Sequence, residues 1–107
     1  MTKVSQFGKP DSLALGEVLI PLVVLKQNQN VESYAGFIPG FVMKNIVEES
    51  APSCLEKLKK YLMQKLDIMT KQNQEFPFFP TRAEIMADFQ NVYSIDFVKV
   101  KSAKRSN

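Results

Sequence analysis

The sequence predicts an α+β domain: a four-stranded mixed sheet in strand order 3-2-1-4, with one long helix on one face. Three observations predict it. Val18 to Leu25 is apolar on both alternating sets, which suits a central or doubly covered strand. Leu55, Leu58, Leu62, Leu66 and Met69 recur at helical spacing and form one apolar stripe, with Lys57, Lys60 and Gln64 opposite. Val92 to Lys101 then reads as a last strand. The element order is β-β-β-α-(short α)-β. Three meandering strands leave the third parallel to the first, so a right-handed helical crossover is expected to lay the fourth parallel against the first.

Residues 1–15 carry Gly8, Pro10, Asp11 and Ser12 without sustained periodicity and are expected to form a loose arm. The domain spans 16–101, and 102–107 form a basic tail. In the first strand, Val18, Ile20, Leu22 and Val24 face one way and Leu19, Val23 and Leu25 the other. Pro21 removes a ladder donor, so an irregularity is expected there. Gln27-Asn28-Gln29-Asn30 suits a hairpin loop, and Val31 to Ile38 forms the second strand. Pro39-Gly40 fits the centre of a type II turn, after which Phe41 to about Glu48 makes the third strand.

Ser50, followed by Ala51-Pro52, can cap the long helix, while Ser53 with Glu56 offers a competing capping box. Glu75 to Pro80 must be extended, because residues before proline avoid the α region. Thr81 caps a short helix with Glu84 at its third position, and Ile85, Met86 and Phe89 can dock it. In the last strand Tyr93, Ile95 and Phe97 share one face and Val98 and Val100 the other. That change of phase implies a bulge or a strand covered on both sides.

At 107 residues, 45% hydrophobic and 23% charged, the chain has the composition of one small globular domain. No apolar run approaches the roughly 18 residues that span a bilayer, and the start from Met1 to Gly8 lacks an apolar targeting segment. A cytoplasmic protein without a membrane partner is expected. Cys54 is the single cysteine and there is no histidine, which excludes an internal disulfide and a Cys–His nucleophile pair and leaves too few soft ligands for a zinc site. Cys54 is read as a small buried apolar residue. Glu17 and Asp96 stand alone on their strands, and the adjacent Glu48 and Glu49 point to opposite sides if extended. With no phosphate-binding glycine motif either, the chain is read as a non-enzyme without catalytic residues, metal ligands or cofactor.

The features left over concern binding. Phe76-Pro77-Phe78-Phe79-Pro80 carries too many aromatic rings for an ordinary exposed loop, so the rings fold over the sheet edge or meet a partner. Phe76, Phe78, Phe79, Leu19 and Val23 are the candidate protein interface. Helices sufficient for only one sheet face would leave the other bare, and a homodimer or higher homo-oligomer is expected to cover it. The formal charge is +3, and Lys57, Lys60, Lys99, Lys101, Lys104 and Arg105 are candidate nucleic-acid contacts. Tyr34 and Tyr93 are the sheet aromatics that could stack on bases.

The succession of a strand reaching Tyr34-Ala35-Gly36-Phe37, a turn at Ile38-Pro39-Gly40, a strand from Phe41, a long basic helix, and Thr81-Arg82-Ala83-Glu84-Ile85 before Val92 to Val100 resembles the HicB family. This is the antitoxin half of HicA–HicB toxin–antitoxin pairs, and the resemblance covers roughly residues 17–101. It implies a partial RNase H-like fold, here without the clustered carboxylates that an RNase H-type nuclease uses to hold two metal ions. It also implies a partner, a HicA-like toxin ribonuclease whose catalytic surface the antitoxin covers. Members usually carry a C-terminal DNA-binding domain, whereas only Ser102 to Asn107 follow Lys101 here, so autorepression is not expected. A mask for a basic toxin would be acidic, and this chain is basic. The two resulting readings are an antitoxin-type inhibitor and, as the alternative, a stand-alone RNA-binding module.

Overall fold

The computed structural model describes residues 17–28 and 30–101. Its elements are β1 (Glu17–Asn28), β2 (Val31–Phe37), β3 (Ile46–Glu48), α1 (Ala51–Gln72), α2 (Arg82–Asp88) and β4 (Val92–Lys101). The α+β class and the strand order β3-β2-β1-β4 match the expectation. The predicted arm and tail, with Lys104 and Arg105, lie outside the described residues.

The sheet is antiparallel throughout, which corrects the expected mixed sheet. A single crossover would have laid β4 parallel to β1, but the chain crosses the sheet twice. With 22 residues, α1 is about 33 Å long and makes one traverse. Residues 74–91 make the return, with Phe79 still packed against the α1-side cluster and α2 lying on the opposite face. β4 therefore enters with Val92 beside Leu25 and runs down to place Lys101 opposite Glu17.

Both faces of β1 are consequently covered. Ile20, Leu22 and Val24 pack under Cys54, Leu58 and Leu62 of α1. On the other face, Val23 joins Ile85 of α2 and Ile95 of β4, flanked by Leu25, Phe37, Phe89 and Phe97. The expectation of a bare second face is thus corrected, and with it the argument for self-association drawn from that face. One seven-residue helix suffices because Ile85 is inserted at the centre of the cluster.

Pro21 causes no irregularity, contrary to expectation: the β1–β4 ladder runs unbroken from Glu17 to Val24. The β1–β2 ladder stops at Val23 opposite Phe37, so Pro21 has no β2 residue on that flank to receive an N–H. The irregularity falls higher, where Val24 pairs with Ser94 but Leu25 pairs with Val92. Tyr93 is the extra residue. It swings to the first face, with its ring centroid 5.0 Å from that of Tyr34, while Ile95 and Phe97 stay on the second.

The turn after β2 is closed by the Phe41 amide donating to the Ile38 carbonyl at 3.1 Å, with Gly40 at φ 108° as a type II turn requires. Phe41 itself does not begin a strand. Its ring packs edge-on to Phe79 at 5.4 Å, and this inward anchoring delays β3 to Ile46. Ser50 is the N-cap of α1, accepting from the Ser53 amide at 3.2 Å, and Ser53 is occupied elsewhere by donating its hydroxyl to Glu48. Asn73 ends α1 in the left-handed region at φ 56°, and the Gln74 amide reaches back to the Met69 carbonyl. Thr81 and Glu84 form the predicted capping box of α2.

Candidate binding groove

The extended segment between the helices does two jobs. Phe79 turns inward against Phe41, and Phe76 stacks beside it with ring centroids 6.2 Å apart. Phe78, between them in sequence, points outward and remains 81% exposed. The three rings therefore divide between packing and surface.

Phe78 stands at a groove of about 880 Å³ on the second face. Its floor is the start of β1 and the end of β4, with Leu19, Phe97 and Lys99. Its wall is the segment from Pro77 through Thr81 into the first turn of α2. The wall is fixed at three points. The α2 capping box sets its exit, Ile85 pins the helix, and the Arg82 guanidinium donates to the Ile95 carbonyl at 3.3 Å while lying 5.6 Å from the centre of the Phe97 ring. The lining is mainly apolar, with Arg82 and Lys99 as cations and Glu17 as the carboxylate.

Of the proposed interface residues, Phe78, Phe79 and Leu19 line this groove, and Phe76 supports it through Phe79. Val23 is fully buried beneath Ile85 and offers no surface. Sequence reasoning named the segment Phe76 to Pro80 but missed Arg82 and Phe97 as parts of the same site. Phe97 and Lys99 share strand parity with Leu19, which was readable, but only a return path across the second face brings the proline segment over them.

The basic residues do not make one surface. Lys57 and Lys60 are exposed on α1, which covers the first face, and Lys57 is engaged by Glu48 at 2.6 Å. Lys99 lies on the second face, and Lys101 closes β4 opposite Glu17. Tyr34 and Tyr93 are adjacent as stacking would need, yet Tyr34 is only 6% exposed and Tyr93 alone presents its ring. The Tyr34 hydroxyl donates to Glu32 at 2.8 Å, which raises the phenol's pKa and lowers the carboxylate's.

Among the described residues no group of three or more acidic or cysteine side chains is placed to hold a metal ion. Cys54 is buried, its thiol donating to the Ile46 carbonyl at 3.2 Å, and burial pushes its pKa up, away from the reactive thiolate. No helix is long and apolar enough to cross a membrane among the described residues. The arrangement defines a small α+β sheet domain with a largely apolar groove. No known protein family, curated protein or solved structure matches the chain.

Proposed function

We propose that the chain is a non-enzymatic protein-binding module, an antitoxin-type inhibitor whose partner is a small ribonuclease. The observation that carries the binding part is Phe78, an aromatic ring held outward at the groove by neighbours that are themselves packed. Exposed aromatic rings on a rigid support are typical anchors of protein interfaces. Among the described residues the acidic side chains form no group of three or more able to hold a metal ion, which supports binding over metal-dependent hydrolysis.

The ribonuclease partner rests on the HicB-like succession of elements along the chain. The antiparallel β4 departs from the RNase H-like arrangement, in which β4 would lie parallel to β1, so the support comes from sequence order and not from topology. The RNA-binding alternative needs Lys57 and Lys60 to act with Lys99 and Lys101, and the sheet stands between the two sets.

The test is affinity capture of the tagged chain from its native cells, with bound protein and bound RNA both identified. A small ribonuclease recovered in stoichiometric amount, and inhibited by the purified chain, is the expected result. Recovery of RNA without a protein partner would overturn it.

A further inference from the structure

The groove has a chemical polarity that specifies its occupant more narrowly than protein binding in general. We propose that it receives a short acidic peptide segment of the partner, with an apolar side chain seated among Leu19, Phe78, Pro80 and Phe97 and a carboxylate beside it meeting Arg82 and Lys99. This deepens the protein-binding reading and rests on it.

Three features carry the inference. A volume of about 880 Å³ holds a few side chains and is far too small for a domain surface to enter, so the inserted element is a segment. The floor is largely apolar, and Leu19 of β1, Phe97 of β4 and Phe78 of the wall all line the groove. The polar rim is unequal, with two cations against the single carboxylate of Glu17. Arg82 is also preorganised: its contact with Phe97 and its bond to the Ile95 carbonyl hold the guanidinium in place, and a guanidinium has five N–H donors, more than that one bond uses. A carboxylate arriving here meets a fixed donor. A basic segment would bring like charge onto Arg82 and Lys99, which disfavours it.

A random peptide display library selected on the immobilised full chain tests this, with enriched sequences remade as fluorescent peptides and measured by anisotropy. Enriched peptides are expected to pair an aromatic or aliphatic residue with a neighbouring Asp or Glu and to weaken with added salt. Phe78→Ser, at an exposed position where folding is retained, is expected to reduce affinity about tenfold or more. The double variant Arg82→Glu/Lys99→Glu, its fold checked by melting temperature, is expected to reverse the preference towards basic peptides. Enriched peptides without acidic residues, or binding indifferent to Phe78→Ser, would overturn the acidic-segment assignment while leaving the protein-binding reading intact. A homodimer in light scattering that Phe78→Ser dissolves would give the groove to a second copy, and cross-links from residues 1–16 into the groove of the free chain would give it to the chain itself. Either result overturns the proposal.

Discussion

A side-chain carbon placed on Gly36 would lie 2.7 Å from the sulfur of Cys54. The β2 backbone and the first turns of α1 touch there without an intervening side chain, and Leu58 stands at 2.8 Å from the same point. This close approach sets the depth at which α1 rests on the sheet.

Gly36→Ala is therefore expected to destabilise the fold by about 1–3 kcal/mol through overpacking. Urea denaturation measures it. Adding Cys54→Ala should recover part of the loss, because the nearest atom is removed while Leu58 remains. Equal costs in the two backgrounds would show that the sulfur does not limit the approach.

Ile85 is the only buried residue of α2 and joins the helix to Val23 and Ile95. Ile85→Ala is expected to cost about 2–4 kcal/mol and to loosen the groove wall. Amide exchange should accelerate through α2, with β1 least affected. Uniform acceleration would mean that α2 does not open separately from the sheet.

Val23 and Leu19 lie on the same face of β1 but differ in cover. Val23→Glu buries an unpaired carboxylate and is expected to abolish folding, whereas Leu19→Glu, at the groove, should give a folded protein. Circular dichroism distinguishes them. A folded Val23→Glu protein would show that the second face is open in solution.

Glu48 accepts from Lys57 at 2.6 Å and from the Ser53 hydroxyl, and chiefly the Lys57 bond lowers its pKa below the ordinary 4.5. Because the folded pKa is depressed, the contribution is complete above the unfolded value and disappears as pH falls through the folded one. Melting temperature should accordingly drop as pH falls from the ordinary carboxylate value through the folded one. Glu48→Gln should flatten this part of the profile, and parallel profiles would remove Glu48 as a contributor.

Asn73 closes α1 at φ 56°, a conformation costly for residues with a larger or β-branched side chain. Asn73→Val is expected to cost about 1–2 kcal/mol, read as a lower thermal midpoint. An unchanged midpoint would indicate that the helix end frays without loss.

Local chemistry made much of this structure legible. The Pro39-Gly40 turn, the Thr81 capping box and the α1 stripe depend on residues close in sequence, and each is found where its pattern predicts, whereas the bulge in β4 falls at Tyr93 and takes that ring off the face it was expected to share with Ile95 and Phe97. The direction of β4 was not legible. It depends on whether the chain crosses the sheet once or twice, and Glu75 to Pro80 specifies an extended backbone without saying over which face it travels. That path decides both the cover over Val23 and the meeting of Pro77–Arg82 with Phe97, so the aromatic segment was legible as a candidate surface, but neither the outward turn of Phe78 nor its groove was. The delayed start of β3 was hidden for a similar reason: Phe41 has the composition of a strand residue, and its edge-on contact with Phe79 is a tertiary event.

The longest ladder in the sheet joins the first strand to the last, with Glu17 opposite Lys101. During synthesis, β1 leaves the ribosome with β2 available on one flank, but its other flank stays unpaired until nearly the whole domain has been made. A strand apolar on both faces would then wait in the company of chaperones and other nascent chains. β1 thus gains its second neighbour only once β4 has been made. Chains interrupted before Val92 would retain an open, apolar sheet edge, which favours aggregation.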